Sequence, residues 1–409
     1  MSKRGLGKLT LTLCCALVAA QTAGGCWSRK ELESMALIVA TGVDLNPGGS
    51  YLLTVQVSNP AAVAAPAAGG AGSHPARPPF VTWQAGGRSL PDAIRHVERL
   101  AQRRLLWSDC RLLLIGEEAA GAGIAPILDA FMRHYQPRLT QWVFVAPGRA
   151  EKALISGTSL ESIPAVAVDR QARLSLHAGA CAIRNLYQVG SMLMQKSGNA
   201  FAGVLKLTPP PAPGPPPPTG GSDQATPTQA DFVLEGTAVF REDRLAGYLD
   251  DTQTRGLMWL RGEVGSTIIT IPCPGDPART ADVRVQRGRT RLEIKPVGER
   301  LLAEPRIQLE ADVVNLACPQ DAQHVALSRA IAAAVAREIE REIRLALARA
   351  HALGTPDPFG FAAALERSDP RKWQQLAPQW EQELARVEVR PDIRVRISRV
   401  GLITAQPSR

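Results

Sequence analysis

Residues 232–274 read FVLEGTAVFREDRLAGYLDDTQTRGLMWLRGEVGSTIITIPCP, and they decide the fold class of the chain. Thr237–Phe240 is a short β-prone run, Arg241-Glu242-Asp243 a polar turn, and Leu245–Leu249 is apolar again. Apolar runs around so short a turn predict a hairpin. Asp250 or Asp251 then predicts the N-cap of a short helix over Thr252–Leu260, because a carboxylate there accepts backbone N–H groups that have no partner inside the helix. Ser266–Ile271 is β-branched and predicts another strand, ended by Pro272 and Pro274. Hairpin, helix and strand in succession point to an α+β protein.

Gly236-Thr237-Ala238-Val239-Phe240, Arg244-Leu245-Ala246-Gly247-Tyr248-Leu249 and Thr254-Arg255-Gly256-Leu257-Met258-Trp259-Leu260 carry a resemblance. The stretch resembles the C-terminal domain of the Ger(x)C family, the lipoprotein C subunits of bacterial spore germinant receptors. The likeness extends to Trp27–Leu32, to Leu112–Leu128 and Arg149–Leu154, and to Phe359-Gly360-Phe361, so it spans nearly all of residues 26–405. It implies an α+β fold of three domains. It also implies partnership with an A-type and a B-type (transporter-like) integral membrane subunit, on the outer face of the spore inner membrane. The family often has His where Ser108-Asp109 falls here, so no role of that His carries over.

The ends fit export. Lys3, Arg4 and Lys8 precede the apolar run Leu9–Ala20, whose 12 residues are short for a membrane span. Thr22-Ala23-Gly24-Gly25-Cys26 resembles a lipobox, with Ala23 where Leu is usual. That chemistry cuts between Gly25 and Cys26 and lipidates the Cys26 thiol, a covalent anchor rather than a cofactor. Ordinary signal cleavage and an uncleaved anchor are the alternatives. The whole chain carries +9, and 9 less the three basic residues of the first 25 leaves +6. No Lys/Arg run marks a nucleic-acid patch, so the charge reads as solvated surface and no nucleic acid is expected as a partner. Cys14 and Cys15 belong to the export segment. Cys110, Cys181, Cys273 and Cys318 show no C-x-x-C spacing, which leaves no zinc or redox motif. Cys273 and Cys318 both end predicted strands. They form either a disulfide in an oxidising compartment or two separate buried thiols.

In chain order, residues 1–25 are the signal peptide and 26–158 an N-terminal α/β domain. Residues 159–207 form a small middle domain, 208–230 a Pro/Gly-rich loop or linker, and 231–405 the C-terminal α+β domain. Strands are predicted at Ala36–Val43 and Tyr51–Ser58 around Asn46-Pro47-Gly48-Gly49, at Phe80–Gln84, Cys110–Ile115 and Thr140–Ala146. Helices are predicted from Ser89 to Arg103, Glu117 to His134 and Gly148 to Ile155. Alternation of the two suggests neighbouring parallel strands. Pro60–Pro79 has no periodicity and reads as a loop. The middle domain reads as a strand at Leu174–Leu176, a helix over Ile183–Gln195 and a strand at Val204–Leu207. Pro209–Gly221, PPPAPGPPPPTGG, favours extended polyproline II and cannot pack a core.

Beyond Pro274, strands are predicted at Ala281–Val285, Thr290–Lys295 and Arg306–Leu316. Asp321 is placed to cap the longest helix, from His324 to about Leu353, stopped by Gly354. Leu327, Ile331, Val335, Ile339, Ile343 and Leu347 recur every fourth residue. That stripe drifts by about 40° per step, as suits a helix wrapping over a twisted, antiparallel-rich sheet. Arg337–Arg344 alternates charge and reads as a solvated face. Helices follow at Pro356–Glu366 and Pro370–Trp380, then strands at Val387–Val389 and Ile393–Ile397.

Catalytic constellations are missing from the sequence. The six histidines (74, 96, 134, 177, 324, 351) form no H-x-x-x-H pair, and neither a G-x-S-x-G elbow nor a Walker loop occurs. Gly121-Ala-Gly123 lacks the third glycine of a dinucleotide loop. The paired acids Glu117–Glu118 and Asp250–Asp251 each sit at a predicted helix start, where the helix dipole explains a carboxylate. The expectation is a non-enzymatic, lipid-anchored receptor subunit acting in spore germination. The alternative is a stand-alone solute-binding lipoprotein that delivers a small molecule to a transporter, which calls for two similar lobes around a cleft.

Overall fold

The computed structural model describes residues 35–59, 62, 78–156, 161–195, 200–208, 231–298, 300–318, 324–354 and 357–400. The signal segment, Gly25 and Cys26, most of the Pro60–Pro79 loop, the Pro/Gly-rich run from 209 and the cap expected of Asp321 lie outside them.

The first half opens with the hairpin β1 (Met35–Leu45) and β2 (Tyr51–Ser58), then β3 (Phe80–Gly87) and helix α1 (Leu90–Leu100). The Ser89 hydroxyl accepts from the Asp92 N–H at the start of α1. The helix ends three residues before the expected Arg103, because Arg104–Leu106 (β4) pairs with β1 instead. β5 (Leu112–Gly116) leads into α2 (Glu117–Ala122) and α3 (Ala125–Arg133). One continuous helix was expected here. Gly123 at φ +132° breaks it, a conformation open to glycine, and the Ile124 and Ala125 N–H groups turn to Asp243 instead. β6 (Trp142–Ala146), α4 (Ala150–Ile155) and α5 (Pro164–Ser175) follow. The strand expected at Leu174–Leu176 is instead the end of α5, whose first residue is the proline that a helix start tolerates. β7 (Arg184–Asn185), α6 (Leu186–Met194) and β8 (Phe201–Leu207) complete the half.

β9 (Phe232–Arg241) and β10 (Arg244–Leu249) form the predicted hairpin, with Glu242 turned to φ +54°. They lie in the first sheet rather than the second. β9 pairs antiparallel with β8, and the first sheet runs β10-β9-β8-β6-β5-β1-β2-β3. Its centre, β1-β5-β6-β8, is parallel, as the strand–helix alternation suggested. These central strands are buried on both faces, which is why they read as continuous apolar runs. Leu113, Ile115, Val143 and Val145 face α1, α3 and α6. Leu112, Leu114 and Phe144 face α4 and α5.

The chain then enters α7 (Asp251–Arg261) and the second sheet: β11 (Thr267–Cys273), β12 (Asp276–Val297) and β13 (Arg300–Leu316). Pro272 lies within β11 rather than ending it, which an edge strand allows. The two strands expected at 281–285 and 290–295 are one. A β-bulge at Val285/Arg287 absorbs the polar stretch between them. α8 (His324–Ala352) crosses the sheet and α7, with Leu327, Ile331, Val335, Ile339 and Ile343 buried. α9 (Phe361–Ser368), α10 (Pro370–Leu376) and α11 (Trp380–Leu384) are shorter than the two helices predicted there. β14 (Glu388–Val389) and β15 (Asp392–Val400) close the sheet parallel to β13. The architecture is the expected α+β one of several units, with mixed sheets and a long helix over an antiparallel-rich sheet. One apolar core runs unbroken from the first sheet through α7 into the second.

Candidate functional site

The junction of the two sheets is built around α7. Asp250 is its N-cap: its Oδ1 accepts from the Gln253 N–H at 2.7 Å, and the Gln253 Oε1 accepts from the Asp250 N–H at 3.1 Å. Gly262, left-handed at φ +70°, ends the helix. On one side the Thr254 and Thr237 hydroxyls meet at 2.9 Å and tie α7 to β9. On the other, the Arg255 Nε donates to both oxygens of Glu342 at 3.0 Å, and the Trp259 Nε1 donates to its Oε2 at 2.8 Å. Glu342 is fully buried, although the charged run containing it read as solvated. Its carboxylate raises the Arg255 pKa, chiefly through these hydrogen bonds.

A second clamp joins the same units. Glu263 accepts from Arg184 of β7 and from the Arg261 Nε at 2.9 Å. Both guanidinium groups lie over the Phe201 ring, at 4.7 and 4.9 Å from its centre. Burial pushes the Glu263 pKa up, but Arg184 and Arg261 outweigh it and hold the carboxyl below its ordinary value. At the start of α9, buried Asp357 accepts from the Phe359 and Gly360 N–H groups, while its burial still raises its pKa.

Three grooves offer binding chemistry. One of about 390 Å³ lies at the junction, lined by Lys206, Glu235, Tyr248, Asp250, Gln253 and Arg349. Burial and the facing Glu117 carboxylate raise the Tyr248 pKa. An apolar groove of about 310 Å³ lies between Leu347, His351, Phe359, Phe361 and Leu384. The third, about 380 Å³, lies at the amino ends of β5 and β6. There buried Asp169 joins Arg111, Arg173 and the Trp142 Nε1, and Ser108-Asp109 form part of the wall. Mixed charge of this kind suits a small polar molecule or a partner's side chains.

Of the residues singled out in the sequence, Cys273 and Cys318 are joined by a disulfide, with Cα atoms 5.3 Å apart. Cys110 and Cys181 are buried thiols, and burial raises both pKa values, to about 11 and about 12. Glu117 accepts from the Gly148 N–H at 3.0 Å, and Asp251 from the Thr252 N–H at 2.8 Å. His96, His134, His177 and His351 sit on separate parts of the fold. Among the described residues, no group of three or more His, Cys, Asp or Glu is placed to hold a metal. Nor is any helix there long and apolar enough to cross a membrane. The buried acids Glu342 and Asp357 escaped sequence reasoning, since nothing local separates them from exposed neighbours.

Residues 28–207 match the model of the spore germination protein N-terminal domain, and residues 235–401 match the model described as spore germination B3/GerAC like, C-terminal. Spore germination protein KC of Bacillus subtilis is 25% identical over 365 residues, covering 88% of each chain. Spore germination protein YndF of the same organism is 22% identical over 419 residues, covering 97% of each. The crystal structure of the GerBC protein matches with a TM-score of 0.50 at 14% identity, over 88% of this chain and 96% of that one, a likeness of fold.

Proposed function

Because the chain belongs to the Ger(x)C family of spore-germination proteins, we propose that it is the lipid-anchored, non-enzymatic subunit of a spore nutrient-germinant receptor. The observation that carries this is the pair of family matches at 28–207 and 235–401, which together take in both sheets. In this reading the chain is exported, cut between Gly25 and Cys26, and held by acyl chains on Cys26 at the outer face of the spore inner membrane. Several acyl chains give a stable anchor, at about 0.8 kcal/mol per buried CH₂. Its partners are the A-type and B-type integral membrane subunits. It needs no cofactor. The junction groove beside α7 supports a binding and assembly role. The solute-binding alternative calls for two similar lobes, and the two sheets differ in strand order and direction.

The test is nutrient-triggered germination of spores carrying the wild-type protein, a deletion, or Cys26→Ala, over a panel of amino acids and sugars. The expected result is loss of response to some nutrients in the deletion, with a normal response to a receptor-independent trigger. Cys26→Ala should share that defect. If all strains answer every nutrient alike, in a strain whose other germinant receptors have been removed, the receptor reading fails and the solute-binding one gains.

A further inference from the structure

The second sheet has one face packed under α7 and α8 and one face open. Ile307, Leu309, Ala311 and Val313 of β13 point inward, so Arg306, Gln308, Glu310 and Asp312 point out. Register carries this alternation across β12 and β15. Arg284 stands beside Asp312 and Arg399, Arg287 beside Glu310 and Arg396, Arg289 beside Gln308 and Arg394, and Arg291 beside Arg306 and Asp392. Every row across the three strands therefore holds two arginines, and none holds more than one acid.

Side-chain exposure of the ion-paired arginines on this face runs from 52% at Arg306 to 82% at Arg291. Glu293 is shared by Arg291 and Arg306, Asp392 takes Arg394, and Glu310 takes Arg396. Arg284, Arg287, Arg289 and Arg399 make no ion pair among the described residues. A depression of about 370 Å³ opens between Arg306, Gln308, Asp392 and Arg394. No basic run betrays this patch in the sequence, because each arginine alternates with an inward apolar or small residue.

We propose that this arginine-rich sheet face docks on an anionic phospholipid surface. The rows contain no aromatic side chain, and one exposed apolar side chain, Ile268 of the edge strand β11, flanks them beside Arg284 rather than sitting at their centre. A protein partner held specifically needs a desolvated anchor at its centre, and single-stranded nucleic acid needs rings to stack on. A bilayer rich in anionic headgroups needs only a broad cationic face, and guanidinium groups bind phosphate oxygens two at a time. The inference deepens the membrane placement proposed above, giving the chain an orientation at the surface. It is read in vitro, independently of any germination phenotype.

The experiment uses the unlipidated chain from Trp27 onward. Every described element begins at Met35 or later, so the removed segment takes none of them away. Vesicles of phosphatidylcholine alone, or mixed with phosphatidylglycerol, are sedimented with this protein. The same is done with the triple variant Arg287→Gln, Arg289→Gln, Arg291→Gln, and with a control that removes equal charge from the first half, Arg95→Gln, Arg133→Gln, Arg170→Gln. Thermal melts establish that each variant is folded. The expected result is binding to the anionic vesicles only, weakening with added salt. The sheet-face variant should fall on the order of a hundredfold, at about fivefold per charge, and the control severalfold at most. Equal losses in the two variants would mean that net charge, not this face, attracts the lipid. Equal binding to neutral vesicles, or none to anionic ones, overturns the proposal. So does duplex DNA bound as tightly as the vesicles through the same arginines.

Discussion

Gly256 sits in the middle of α7, where intrinsic propensity argues for alanine by about 1 kcal/mol. The crossing with α8 argues the other way. A Cβ at this position would lie 2.2 Å from the Glu342 carbonyl oxygen and 2.6 Å from its carbon. Both are backbone atoms of a long helix fixed by its own apolar stripe, so nothing small can give way. The clash wins, and Gly256→Ala is expected to lower stability by about 1–3 kcal/mol, read as a fall in the urea midpoint. A stabilised variant would show that the two helices do not cross this closely in solution. Glu342 gives the same lesson from the buried side. It lies about 60° around the helix from Ile339, and α7 widens the buried arc far enough to cover it. The period-4 stripe in the sequence marks the face against the sheet. It carries no sign of a second helix packed beside that face.

Elements with their own local chemistry were legible. The Asp250 cap, the 237–249 hairpin and the stripe of α8 each rest on residues a few positions apart. The continuity of β12 was not, because Gln286-Arg287-Gly288-Arg289, between the two strands predicted there, resembles a turn until a partner strand is there to receive it. The β12–β13 hairpin is fastened at its open end by the Cys273–Cys318 disulfide, which closes a separation of 45 residues. Loop-closure entropy for that length corresponds to about 4 kcal/mol removed from the unfolded state. The double variant Cys273→Ala, Cys318→Ala is therefore expected to lose up to about 4 kcal/mol, and wild-type protein unfolded under reducing conditions should show the same loss. A reductant that leaves the denaturation curve of the wild type unmoved would mean that the thiols are not paired in the isolated protein.

At the scale of the whole molecule, composition marked 208–230 as a loop or linker, and β8 and β9 on either side of it are neighbours in one sheet. Strand pairing across so long a separation has no local signature, so the sequence could divide the chain into segments without revealing which segments share a sheet. What unites the halves is side-chain chemistry equally remote in sequence: Arg184 reaches Glu263 across 79 residues. That clamp sets a pH dependence. Arg184 and Arg261 hold the Glu263 pKa below its ordinary 4.5, so its contribution is full above about 4.5 and is lost as pH falls through the lower folded-state value. Asp44 and Asp357 act in the opposite sense. Burial raises both from 3.8, so protonating them on acidification favours the folded state and blunts the acid loss. Comparison with Glu263→Gln isolates the clamp, because both proteins keep the two aspartates. In urea titrations from pH 7 to pH 3, the wild type is expected to lead by about 1–2 kcal/mol at neutral pH, the partly exposed carboxylate limiting the gain. The lead should shrink once pH drops below about 4.5. A lead that stays constant to pH 3 would mean that shape and packing at position 263, rather than its charge, join the two halves.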